Sequence, residues 1–147
     1  MSLTEQIAQD LKKAMKDRDE FRTSCLRMVK AALKNEQVAR SHELKDEEAQ
    51  AVLQSLIRKG HDAAKEFRAG NRESMALKEE REVEVFHEYL PKQLSPDEIE
   101  GVLKAVISEL SAQGSKDLGK VMKAAMPLIA GKAQGKEVNE IARRLLN

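Results

Sequence analysis

The sequence predicts an all-α fold, with an N-terminal four-helix part made of helical hairpins and a small three-helix C-terminal part. Three observations carry the prediction. Charged residues make up 35% of the 147-residue chain and aromatics only 3%, so a core must be assembled from Leu, Ile, Val, Met and Ala. That is the composition of helices that bury one aliphatic stripe. Apolar residues recur at intervals of three and four, the period of a helix face, and no stretch alternates as a half-buried strand does.

Leu3, Ile7, Leu11 and Met15 mark the first helix, with Ser2 or Thr4 as its cap. The charged run at 16–20 supplies a turn. A second helix, about 21–39, carries Phe21, Cys25, Val29, Ala32 and Leu33 inward and Arg27, Lys30 and Lys34 on its opposite face. Residues 40–48 break the periodicity. The third helix has Val52, Leu53, Leu56, Ile57, Ala64 and Phe67 as its stripe. Gly60 lies inside it and costs about 1 kcal/mol relative to Ala. Either a neighbouring helix comes close there, or this helix is weakened. The sequence Ala69-Gly70-Asn71-Arg72 holds a stop and a start, and the fourth helix is expected over 72–90 with Val83, Phe86 and Leu90 inward.

The stretch YLPKQLSPDEIE at 89–100 is the clearest boundary. Pro91 disfavours helix at Leu90. Ser95 then reads as a cap, Pro96 as the first helical residue and Glu98 as the return arm of a capping box. Two domains follow, 1–92 and 93–147. In the second, the fifth helix buries Ile99, Val102, Leu103, Val106 and Leu110, and Gly114 ends it. Ser115 and Asp117 start the sixth, with Leu118, Val121, Met122 and Ala125 inward and Pro127 kinking or ending it. Gly131 and Gly135 bracket a turn into the last helix, where Val138, Ile141, Ala142 and Leu145 face inward.

The formal net charge is +1, so no global field draws the chain toward nucleic acid or anionic lipid, and such binding must rest on a local patch. A single cysteine excludes an internal disulfide and suits a reducing compartment. No stretch approaches the roughly 20 apolar residues of a membrane span, and the amphipathic N-terminus lacks the apolar run of a signal peptide. The expected location is cytoplasmic.

Catalytic and metal constellations are weak. Glu84 and His87 stand in Glu-x-x-His spacing with Glu80 one turn earlier, but neither His42 nor His61 supplies the second such motif that a di-metal bundle needs. The acidic side of 73–88 reads as a solvated helix face. Cys25 falls on a buried stripe, where a thiol is inert. No phosphate-binding loop or dinucleotide fingerprint occurs. No catalytic residue, metal site or cofactor is expected.

The segment GKVMKAAMPLIAGKAQGKEVN at 119–139 is more informative. Lys120 and Lys123 share one side of the sixth helix, Lys132 lies in the turn, and Lys136 opens the last helix. From 110 to 147, seven basic residues face three acidic ones, a local excess of +4. A helix N-terminus flanked by glycine offers N–H groups and a positive dipole end to phosphate, and Gly131 and Gly135 let a backbone come close.

This segment, with LRMVKAALKN at 26–35 and EYLPKQLS at 88–95, resembles the YqeY family, which is similar to the C-terminal tail of GatB, the B subunit of the glutamine-dependent tRNA amidotransferase. The resemblance implies a helical N-terminal part before a three-helix part. It also implies an accessory role in holding tRNA, associated with carbon–nitrogen ligation from glutamine but not catalytic alone. The candidate tRNA contacts it implies are Lys120, Lys123, Gly131, Lys132, Gly135 and Lys136, and the candidate partners beyond tRNA are a synthetase or an amidotransferase component. Two departures stand out: Gly60-His61 falls where a more basic stretch is expected, and Gln134 where relatives carry a capping Asp. Because Phe21, Phe67 and Phe86 fall on helix stripes, recognition is expected to be of shape and backbone, without base stacking. The alternative is a protein-interaction adaptor using the charged faces of 27–34 and 73–88.

Overall fold

The computed structural model describes residues 1–147 as seven α-helices and one 3₁₀ turn, without a strand. The all-α prediction holds. The chain forms two compact units, Met1–Leu90 and Pro91–Asn147.

In the first unit, α1 (Leu3–Lys16) pairs with α2 (Glu20–Arg40), and α3 (Asp46–Ala69) pairs with α4 (Glu73–His87). Ser2, not Thr4, caps α1: its hydroxyl accepts from the Glu5 N–H while the Glu5 carboxylate accepts from the Ser2 N–H, the reciprocal box that satisfies two orphan donors. The Leu3 N–H donates to Asp46 at 2.9 Å, which ties the start of α1 to the start of α3. Asp19 caps α2 through the Arg22 N–H. Elsewhere in the unit, the Tyr89 hydroxyl donates to Asp10 at 2.6 Å and accepts from Arg22. Burial and the Asp10 carboxylate push the Tyr89 phenol up to about 12.

The core of this unit centres on Ile7, Leu26, Val29, Leu53 and Ile57, each contributing roughly 1.5–3 kcal/mol by leaving water. Several expected positions shift. Ala14 is buried in place of Met15, and Leu26, absent from the predicted stripe, is fully buried. Ala32 and Phe67 are only half-buried, whereas Phe21, Val52 and Leu56, also half-buried, pack against the core as expected. Helix α4 stops at His87, and Leu90 lies beyond it, half-buried. Gly60 is explained by close approach: a Cβ there would lie 2.5 Å from Val83 Cγ2 on α4.

In the second unit, α5 (Pro96–Leu110), the 3₁₀ turn (Ser115–Asp117), α6 (Leu118–Ile129) and α7 (Gly135–Leu146) enclose a separate core of Ile99, Leu103, Val121, Ile129 and Val138. The Ser95–Glu98 capping box forms, with Pro96 at the first position. Helix α5 ends at Ser111, which adopts the left-handed φ of +51°; Gly114, at φ +74°, introduces the 3₁₀ turn instead of ending α5. Leu110 is exposed, and Leu146 completes the core with Leu145 packed, partly buried, against it. Pro127 sits inside the last turn of α6, where its missing N–H leaves the Lys123 carbonyl without its helical partner. The helix stops two residues later.

Candidate nucleic-acid interface

The corner between α6 and α7 is held by backbone bonds. Gly131 takes φ +78°, a conformation that costs other L-residues. The Lys132 N–H donates to the Ile129 carbonyl at 2.9 Å, and the Lys132 carbonyl accepts from the Leu94 N–H at 2.8 Å. The Gln93 amide donates to the Gly131 carbonyl at 2.8 Å. Ala133, the next residue, is buried in the core of this unit. The segment just before α5 therefore straps the corner from beneath, and the side chain of Lys132 is left exposed.

Helix α7 begins without a side-chain cap: Gln134 occupies the cap position with extended backbone, and its side chain makes no capping bond. The first N–H groups of a helix have no carbonyl partner within it, so those of Gly135, Lys136 and Glu137 depend on other groups. Gly135 presents no Cβ, and one built there would meet nothing within 4 Å. Lys136 is exposed at the second helical position. Glu137 in the same turn is half-buried and answers part of the positive dipole end.

Lys120 and Lys123 are exposed on the side of α6 opposite Val121, Ala125 and Ile129. They stand about 14 Å and 9 Å of helix rise from its C-terminal end at Ile129. The six candidate residues therefore divide. Gly131, Lys132, Gly135 and Lys136 share one corner, while Lys120 and Lys123 extend away from it along α6. None of the four lysines takes part in an ion pair, whereas Lys104 and Arg144 in the same unit both engage Glu100. Leu94 and Gln93, which hold the corner, escaped the sequence reading. Nothing in their pattern announces a bond to a turn 38 residues away.

The other chemical groups are accounted for elsewhere. Cys25 is fully buried, and desolvation pushes its thiol up to about 11. Glu80 pairs with Arg68. His87 faces His61 with ring centroids 6.5 Å apart, and burial together with His61 lowers its pKa. No three His, Cys, Asp or Glu side chains are gathered to hold a metal ion, and no helix is long and apolar enough to cross a membrane.

These features define a class: a two-unit, all-helical protein whose smaller unit displays a strapped lysine–glycine corner. A model of the family described as Yqey-like protein matches residues 4–146, and the chain belongs to that family. It is also similar to proteins named "Altered inheritance of mitochondria protein 41, mitochondrial". The Saccharomyces cerevisiae protein is 33% identical over 82 residues, covering 55% of this chain and 44% of the relative. The Candida glabrata protein is 29% identical over 86 residues, covering 57% and 47%. The Lachancea thermotolerans protein is 29% identical over 107 residues, covering 71% and 57%. The chain thus spans about half the length of the curated relatives it matches.

Proposed function

We propose that the smaller unit is an accessory tRNA-binding module that grips the backbone of a folded tRNA at the α6–α7 corner. The observation that carries this reading is the combination at one fixed turn of unpaired Lys132 and Lys136, the uncapped start of α7 and the bare backbone at Gly135. Ammonium groups and helix-terminal N–H groups are the two donors that phosphate accepts best without base identity. Lys120 and Lys123 extend the cationic track along α6, so the ligand is a strand of phosphates and not a single anion. The family's likeness to the GatB tail supports the same reading and supplies its setting: holding tRNA for amide transfer from glutamine by a synthetase-linked or amidotransferase component, with this chain contributing no chemistry of its own. The cytoplasmic placement belongs to this proposal; the relatives above carry "mitochondrial" in their names.

Filter binding of total tRNA across a salt series tests it. Changing Lys132 and Lys136 together to Ala should weaken binding to all tRNA species alike and shallow the log–log salt slope by about 1.5 to 2. The unfolding midpoint should not move, because both side chains are exposed. An unchanged affinity and slope removes the corner from the interface.

A further inference from the structure

The larger unit leaves one side of α2 without a partner. Three of the chain's exposed large apolar side chains lie there: Met15 at 50% exposure, Met28 at 38% and Val38 at 71%. Met15, Met28 and Ala31 border a groove of about 730 Å³ beside the end of α1. Arg27, Ala31, Lys34 and Val38, spaced four, three and four residues apart, share one helix face that continues from it.

The charge on this side is mostly positive, and its cations are uncommitted. Arg18 and Arg27 flank the groove, and Lys30 and Lys34 follow along α2; none is in an ion pair, although Arg22 and Arg40 on the same helix each hold a glutamate. Glu20 is the one acidic side chain at the groove, since nearby Asp17 pairs with Lys13 and Asp19 caps α2. Methionines surrounded by unpaired cations are the lining of a groove that takes a helix whose apolar stripe is flanked by carboxylates. A phosphate backbone has no use for the methionines and Val38. We infer that this side of α2 is a docking surface for an acidic amphipathic helix of a partner protein. The inference is independent of the RNA-binding reading, which concerns the other unit.

The test uses the intact chain labelled with ¹³C at its methionine methyls and two synthetic helices of about 20 residues, roughly 30 Å long. Both carry the same leucine stripe, one flanked by Glu and the other by Lys. The Glu helix should shift the Met15 and Met28 methyl signals and leave Met75, Met122 and Met126 in place. Arg27→Glu with Lys34→Glu should weaken it about tenfold or more with the fold intact. Failure of the Glu helix to shift Met15 and Met28, equal binding of the Lys helix, or indifference to the charge reversal overturns the proposal. So does folded tRNA moving Met15 and Met28 when the Glu helix does not, which would assign the surface to RNA. Loss of tRNA binding on changing Lys132 and Lys136, by contrast, bears only on the corner.

Discussion

The α3–α4 crossing and the α6–α7 corner both carry glycine, and they use it for opposite reasons. At the crossing, Gly60 is buried inside a helix, and a Cβ would press to 2.5 Å from Val83 Cγ2. The absence of a side chain there is what lets two helices touch. At the corner, Gly131 is held at φ +78°, a demand of the backbone alone. Gly135 answers neither demand: its φ is not in the left-handed region, and nothing lies within 4 Å of its missing Cβ. One residue type thus serves packing, chain reversal and open access in turn. Only the third leaves room for a ligand.

The largest effect expected is at the crossing. Gly60→Val places three extra carbons against a β-branched neighbour that is itself buried, and overpacking of this kind costs about 2–3 kcal/mol. Urea denaturation followed by circular dichroism should show that loss. Gly60→Ala should cost less, because the helix gains about 1 kcal/mol from replacing glycine. Trimming Val83 to Ala should make Gly60→Ala less harmful than it is in the native background, a coupling that a double-mutant cycle reads directly. If Gly60→Val is as stable as the native chain, close approach is not the reason for this glycine.

At the corner, Gly131→Ala forces an L-residue into the left-handed region at a cost of about 1–2 kcal/mol. Gly131→Asn should cost less, since Asn tolerates that region better. Weakened tRNA binding should accompany the stability loss in Ala and recover in Asn. Equal stability of all three forms would mean the turn relaxes to another conformation.

These distinctions were only partly legible in the sequence. The helices were, because aliphatic spacing is a direct record of which face leaves water, and the start of α5 was legible to the residue because Ser95, Pro96 and Glu98 act locally. What failed lies where a neighbour decides. Met15 and Leu110 continue their helical stripes, but near helix ends exposure depends on where the packed neighbour stops. Leu26 was missed because α2 is touched by α1, α3 and α4, so its buried arc is wider than one stripe. Gly60 allowed two readings until Val83 was placed beside it. The corner's residues could be named, yet the strap from Gln93 and Leu94 that holds them is a long-range contact without a local signature.

The smallest perturbation discriminates best. Gly135→Ala adds one methyl group where the fold has space and where φ permits it. At a position whose conformation the new residue can adopt, replacing glycine by alanine stabilises by about 0.4–1 kcal/mol, so the variant should be as stable as the native chain or slightly more. If a phosphate sits against the bare start of α7, the methyl stands in its way, and affinity for tRNA at low salt should fall several-fold. The salt slope should stay where it was, because no cation has been removed and the number of displaced counterions depends on charge. That pairing, weaker binding at constant slope with unimpaired stability, is the reverse of what Lys132→Ala with Lys136→Ala should give, where the slope itself changes. Unchanged affinity in Gly135→Ala would make this glycine a mere helix starter and move the phosphate to the lysines alone. A loss of stability would show that the open space at Gly135 is closed in solution, and the contrast with Gly60 would disappear.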